Sequence, residues 1–335
     1  MKTALFGFAA SGKTELFKAL AGEQGSHGSR AMVKVPEPRL DPLVELFQPR
    51  KVTSAEIEYL DLPGGGGKGS GLGQRILSEI RPFDCLMAVL DSFSGLSDPD
   101  EQYEAIEDDL VIADLAVAEK RLERLELDKR KGKGLVDPNE ERLLGRAAAH
   151  LEGGHPLRTD PELAFADVLR GFCFLSAKPI VYVWNVAENA LETVPSRSGQ
   201  QQAHIALSAK LERELAELED PEERAGFLED MGLSQSALDR VIAATFELLG
   251  LITFLTAGEK EVRAWNIPWG STAPEAAGAV HSDLQKGFIR AEVLSWQDFL
   301  DCGTFKRAKE RGVLRLEGKD YIVQDGDIIT FRFNV

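Results

Sequence analysis

Eight residues near the N-terminus, Gly7-Phe8-Ala9-Ala10-Ser11-Gly12-Lys13-Thr14, fit the pattern G-x-x-x-x-G-K-[ST]. This pattern requires a strand, a tight glycine loop and a helix in that order. The apolar Ala4-Leu5-Phe6 before it reads as a short buried strand, and Glu15-Leu16-Phe17-Lys18-Ala19-Leu20 after it as the first turns of a helix. Glycine lets the backbone wrap around phosphate oxygens with its N–H groups pointing inward. Lys13 adds a mobile positive charge, and Thr14 can offer a hydroxyl to Mg²⁺. Gly7, Ala10, Ser11, Gly12, Lys13, Thr14 and Glu15 are therefore expected around a nucleoside triphosphate, ATP or GTP.

At 335 residues the chain can hold two or three domains, and 43% hydrophobic with 28% charged content is that of an ordinary globular protein. No apolar run is long enough for a bilayer, and the N-terminus runs directly into a strand, so no membrane is expected and a cytoplasmic location is. Cys85, Cys173 and Cys302 lack C-x-x-C spacing and lie in or beside apolar segments, which predicts buried thiols and neither zinc nor disulfides. The net charge of −16 is uneven. Residues 251–335 carry 11 Lys and Arg against 12 Asp and Glu, leaving 28 against 43 elsewhere. Most of the chain should repel nucleic acid, and only the C-terminal part is open to RNA contact.

Short apolar runs alternate with turns over residues 1–97 and return at Lys178-Pro179-Ile180-Val181-Tyr182-Val183-Trp184, the rhythm of a parallel α/β sheet. Between them, Tyr103, Ile106, Leu110, Ala113 and Val117 recur at helical spacing, Lys129 to Gly134 breaks the pattern and Glu140 to Leu151 resumes it, predicting a helical hairpin. The charges from Arg121 to Lys133 read as its solvated face. A helix over 234–249 ends at Gly250. In the tail, residues 251–256, 261–267, 320–323 and 328–333 read as strands and Ala273 to Val280 as a helix. The expected organisation is a nucleotide-binding domain over 1–97 and 176–250, a helical insertion over 98–175 and a third domain over 251–335.

The other corners of a nucleotide site follow in order. Asp61-Leu62-Pro63-Gly64 fits D-x-x-G, with Asp61 holding Mg²⁺ through water and the Gly64 amide meeting the γ-phosphate. Asn185-Val186-Ala187-Glu188 follows the next long strand, where a base would lie, and Ser208-Ala209-Lys210 can close over it. Lys13, Asp61 and Gly64 are the catalytic candidates, and Thr14 and Asp61 the metal ligands.

With these motifs the chain resembles the YchF-type branch of the Obg-related P-loop GTPases, in the translation-factor class. The resemblance also rests on Val35-Pro36-Glu37-Pro38-Arg39-Leu40-Asp41, and its last 85 residues look like the TGS domain of that family, notably over 256–265, 286–292 and 316–323. It implies an α/β P-loop sheet, an inserted helical coiled-coil arm and a ubiquitin-like (β-grasp) TGS domain. It further implies a monomer that binds the ribosome or another translation component. Ordinary GTPases carry N-K-x-D, whose Asp accepts hydrogen bonds from guanine. Here Glu188 is one methylene longer and Val186 replaces the lysine, which weakens the reason for preferring guanine. YchF proteins share N-x-x-E and tend to prefer ATP, which the resemblance carries to Asn185 and Glu188. A helix cap is the plain alternative for Glu188.

Two departures bear on turnover. The family's first-switch Thr has no counterpart in Gly25-Ser26-His27-Gly28-Ser29-Arg30, where Ser26 or Ser29 could substitute, and the glycines imply a mobile loop. The second-switch region, 64–73, is glycine-rich and short, and Gly65 stands where many GTPases have a water-positioning glutamine. Slow intrinsic hydrolysis is expected. The competing reading is a catalytically decayed nucleotide-binding interaction module; a metabolic kinase would leave Asn185 to Glu188 and the C-terminal domain without an account. His27 reads as a solvated loop side chain, His281 as a cap or packed ring, and Trp265, Trp269 and Trp296 as core, with base stacking as the alternative.

Overall fold

A computed structural model describes the chain apart from residues 23–25, 28, 66–70, 132–136, 192–198, 219, 232, 234 and 335. Its strands are β1 (Lys2–Gly7), β2 (Ser26–His27), β3 (Arg30–Lys34), β4 (Val52–Thr53), β5 (Glu56–Asp61), β6 (Cys85–Ser92) and β7 (Ile180–Val186). They continue with β8 (Gln202–Leu207), β9 (Leu251–Ala257), β10 (Val262–Pro268), β11 (Phe288–Leu294), β12 (Arg315–Glu317) and β13 (Ile328–Phe333). The helices used below are α1 (Lys13–Ala21), α2 (Leu40–Phe47), α3 (Gln74–Ile80), α4 (Pro99–Arg130) and α5 (Pro138–Glu152). After them come α6 (Pro161–Ala164), α7 (Ala209–Glu217), α8 (Pro221–Asp230), α9 (Ala237–Leu248) and α10 (Ala273–Val280).

The chain divides into two compact units, Met1–Val33 with Glu58–Leu248, and Lys34–Ile57 with Leu249–Val335. The first holds a seven-stranded sheet in the order β2-β3-β5-β1-β6-β7-β8. Its centre is parallel, β1 lying between β5 and β6, and β7 between β6 and β8. Strands buried on both faces need continuous apolar runs, and every residue of β7, Ile180 to Val186, is buried. The carboxyl ends of β1, β5 and β7 therefore deliver their following loops to one edge, where an open α/β sheet places its ligand.

The first part of α4 is not a separate arm. Ile106, Leu110 and Ala113 belong to the same core as Phe6, Leu86 and Tyr182. Further along, Val111, Ala118 and Leu125 pack with Leu143, Leu144, Ala147 and Leu151 of α5 in a second cluster. The expected solvated charges pair across this hairpin, Arg121 with Glu140 at 2.7 Å and Lys129 with Glu141 at 2.6 Å. Asp98 and Asp137 cap the two helices by accepting from Asp100 and Asn139 N–H. The hairpin turn, 132–136, lies outside the described residues.

The second unit is a six-stranded sheet in the order β12-β11-β13-β9-β10-β4 with α10 on one face, a β-grasp arrangement. Residues 34–57, assigned by sequence to the nucleotide domain, cluster here. Val52 pairs with Val262, Phe47 meets Phe305 edge-on with centroids 5.6 Å apart, and Arg39 bridges Glu37 and Asp325 at 2.6 Å each. The predicted strand over 320–323 is absent as such: a single bridge pairs Thr272 with Ile322, because the backbone here bonds to the turn before α10, Ala273 N–H donating to Tyr321 C=O at 2.8 Å and Val323 N–H to Ser271 C=O at 3.0 Å. Strands β11 and β12 were not foreseen.

Trp265 and Trp296 pack as expected, against Phe254 and Phe299, but Trp269 is 79% exposed, in the turn after β10. His281 caps the following helix by accepting from Asp283 N–H at 3.1 Å. Cys85 and Cys302 are buried, and burial pushes the Cys85 thiol up to about 12. Cys173, expected inside, is exposed, since a left-handed turn there (φ 49°) carries it out.

Candidate functional site

The loop between β1 and α1 turns on two glycines whose backbone no other residue could supply. A Cβ on Gly7 would stand 2.5 Å from the Val89 carbonyl, and Gly12 adopts φ 84° with its would-be Cβ 2.0 Å from Asn185 Nδ2. Ala10 is also left-handed, at φ 65°. The hydroxyl of Ser11, 1% exposed, has no partner among the described residues. This strained, close-packed turn ends at the free N–H groups of α1, an anion-binding geometry.

Lys13 and Thr14 converge on Asp61 at the end of β5. Lys13 Nζ lies 2.7 Å from Asp61 Oδ1, and Thr14 Oγ1 lies 3.3 Å from Oδ2. A hydroxyl and a carboxylate this close are the hard oxygen donors that suit Mg²⁺, which keeps several waters and shares substrate phosphates. Among the described residues no group of three or more His, Cys, Asp or Glu is placed to hold a metal ion.

Beyond Asp61 the chain is pinned to the loop. Leu62 N–H donates to Leu5 C=O at 3.0 Å and Gly65 N–H to Gly7 C=O at 2.9 Å, while Gly64 stands against Ala9. Residues 66–70 of the glycine-rich segment lie outside the described residues. On the opposite side Asp61 N–H donates to Ser29 C=O at 2.8 Å. Where a loop was expected, Ser26 and His27 form β2, paired antiparallel with Ala31 and Arg30, because the residues flanking the turn can close a hairpin. Their side chains lie outside the described residues.

Asn185 joins three predicted corners. Its Nδ2 donates to Ser11 C=O at 2.8 Å, and its Oδ1 accepts from Ala209 N–H at 2.9 Å. The side chain, expected at the base, braces the phosphate loop against the 208–210 turn and also borders the cavity beside them. Ser208 Oγ accepts from Leu211 N–H and so caps α7. Val186 is 4% exposed and belongs to the core. Glu188 caps no described helix: its Oε1 pairs with Lys210 Nζ at 2.9 Å, and this carboxylate raises the lysine's affinity for its proton.

A cavity of about 870 Å³ opens beside these groups, bordered by Gly12, Glu15, Asn185, Glu188, Ala209 and Lys210. Phe93, 46% exposed, forms another wall. It is held by buried Asp91, which accepts from Phe93 and Ser94 N–H at 3.3 and 3.0 Å and is itself fixed by Gln102. Sequence reading passed over Phe93, Asp91 and Arg213, whose Nη1 lies 2.6 Å from Glu15 Oε2. The one available signal was position: Asp91 lies at the end of a buried strand, and Phe93 directly after it, at the same edge as Asp61 and Asn185.

Residues 251–334 match the family model YchF-GTPase_C, described as a protein of unknown function (DUF933). The chain is 39% identical over 359 residues to the ribosome-binding ATPase YchF of Bacillus subtilis, covering 97% of this chain and 96% of that one. It is 39% identical over 365 residues to the protein of the same name from Haemophilus ducreyi, covering 100% and 99%. The structure of the Schizosaccharomyces pombe YchF GTPase superposes with a TM-score of 0.88 at 27% identity, over 99% of this chain and 97% of that one. With this phosphate loop, its Asp61 and the Asn185 brace in one continuous edge, the chain belongs to the YchF family of P-loop nucleoside triphosphatases.

Proposed function

We propose that this chain binds ATP in preference to GTP, hydrolyses it slowly with Mg²⁺, and uses the cycle on the ribosome. The observation that supports it best is the Glu188–Lys210 pair. A carboxylate at this corner could accept from guanine N1–H and its amino group, but Glu188 already meets a cation 2.9 Å away. Guanine would have to displace Lys210, and adenine, with no donor there, loses nothing.

The residues divide the work by position. Backbone N–H groups of residues 10–15 cradle phosphates, and Lys13 exchanges Asp61 for phosphate oxygens. Thr14 and Asp61 would hold Mg²⁺, which when bound would supply positive charge against the charge developing on the transferred phosphoryl group. Gly64 offers its N–H toward the γ-phosphate. Asn185 holds loop and base wall at fixed separation, and Val186, Ala187 and Phe93 supply apolar surface.

Slow turnover is supported by Gly65. A Cβ there would stand 3.1 Å from the Leu72 carbonyl and 3.2 Å from Ile76 Cδ1, so a water-positioning glutamine has no ready room. The attacking water must be oriented by another element or by a partner. The relatives named ribosome-binding ATPases support the ribosome as that partner. RNA contact belongs to the second unit, where charge is near balance and Trp269 offers an open ring. We take the working form to be a cytoplasmic monomer; among the described residues no helix is long and apolar enough to cross a membrane.

Calorimetric titration with MgATP and MgGTP, followed by phosphate release and cosedimentation with ribosomes, tests this reading. Tighter ATP binding with slow release is expected. Tighter GTP binding would overturn the base assignment, binding without release would leave an interaction module, and no cosedimentation in any nucleotide state would remove the ribosome.

A further inference from the structure

We propose that Arg213 is a determinant of polyphosphate affinity, acting by neutralising the Glu15 carboxylate on the wall of the nucleotide cavity. The inference rests on the nucleotide reading of that cavity. Glu15 directly follows Lys13 and Thr14, in the first turn of the helix whose N-terminus faces the phosphates, and it borders the cavity. A carboxylate here carries the same sign as the ligand.

Among the described residues, four cavity-lining carboxylates, Glu15, Glu188, Glu214 and Glu217, stand with two lining cations, Lys210 and Arg213. Lys210 is engaged by Glu188 at 2.9 Å. Arg213 reaches Glu15 Oε2 through Nη1 at 2.6 Å and Glu217 Oε1 through Nε at 3.1 Å. Glu15 also accepts from Lys18 at 3.2 Å, but of its two cations only Arg213 lines the nucleotide cavity; Lys18 borders, together with Arg213, a smaller cavity of about 220 Å³. Arg213 also stands on α7, whose first N–H is fixed by Asn185. Helix α7 is thus tied to the phosphate loop by the Asn185 brace and to α1 by the ion pair.

Removing Arg213 takes away the cation of Glu15 on the cavity side and leaves it only the exposed Lys18. The variants R213A, E15Q and R213A/E15Q, titrated with MgATP, MgGTP and adenosine, separate charge from packing, with melting curves reporting the fold. R213A should weaken both nucleotides alike, by about tenfold at the separations and dielectric of a protein surface, and leave adenosine unmoved. E15Q should tighten both nucleotides, and the double variant should return to within about twofold of the parent protein. Unchanged nucleotide binding by R213A, an equal loss for adenosine, a double variant as weak as R213A, or a weakened E15Q would each overturn the proposal. Failure of the parent protein to bind either nucleotide would defeat the nucleotide reading itself; parent binding with an unmoved R213A would defeat only this one.

Discussion

Asn185 lies so close to Gly12 that a methyl group on the glycine would reach within 2.0 Å of the amide nitrogen. The brace and the phosphate loop are therefore one packed object: Asn185 can hold Ser11 C=O and Ala209 N–H together only while position 12 has no side chain. Gly12→Ala combines a left-handed backbone penalty of about 1 to 2 kcal/mol with the displacement of Asn185. The expected result is a lowered melting temperature together with loss of MgATP binding; retention of tight binding would contradict the coupling.

Asn185→Ala removes both hydrogen bonds and leaves Ala209 N–H and Ser11 C=O buried without their partner, at a cost of about 1 to 3 kcal/mol. Urea unfolding should show that loss, and titration should show weakened affinity for ATP and GTP alike, because the brace sets the width of the cavity and not the identity of the base. A selective loss of one nucleotide would instead make Asn185 a reader.

Lys210→Ala releases Glu188 from its ion pair. The freed carboxylate can then accept from guanine, so the ratio of GTP to ATP affinity should rise by about threefold to tenfold, within the range of a charge-assisted hydrogen bond. Competition binding gives the ratio directly. No change would mean that Glu188 does not face the base.

Gly65→Gln places a side chain where Leu72 and Ile76 leave 3.1 to 3.2 Å. Single-turnover phosphate release should be no faster than in the parent protein. An acceleration of tenfold or more would show that the loop accommodates a water-positioning group and that its absence alone limits the rate.

Asp114 is buried on α4, where it accepts from Ser176 N–H at 2.6 Å and pairs with Arg81 at 3.0 Å. Burial raises its carboxyl above the ordinary value of 3.8. Over the interval between 3.8 and the raised native value the folded state binds more protons than the unfolded one, so this group's contribution to stability falls as pH rises. Arg81→Met deprives the carboxylate of its cation and lifts the native value further. The variant should lose about 3 to 5 kcal/mol at pH 7.5 and distinctly less at pH 4.5, as measured by urea unfolding. An equal loss at both values would show that Arg81 acts through packing and its bonds to the Ala113 and Cys173 carbonyls, and not through its charge on Asp114.

Much of the site is legible in the chain. Gly7 to Thr14, Asp61 to Gly64, Asn185 to Glu188 and Ser208 to Lys210 all border the same sheet edge, because each motif follows a strand and parallel strands place their ends together. Periodicity likewise gives the α4–α5 hairpin and most strands. These features depend on short-range order, where residue type and spacing are the physical cause.

Pairings between distant segments are another matter. Nothing local to Val35-Pro36-Glu37-Pro38-Arg39 shows that Arg39 will meet Asp325, 286 residues away, and carry 34–57 into the second unit. Nor does the text of the chain show that Asn185 braces the phosphate loop against the 208–210 turn, that Glu188 is engaged by Lys210, or that Glu15 is matched by Arg213. A side chain's spacing along a strand or helix fixes the direction in which it leaves the backbone. Its partner is chosen by which other surfaces pack within about 3 Å, and that is settled only when the sheet is assembled.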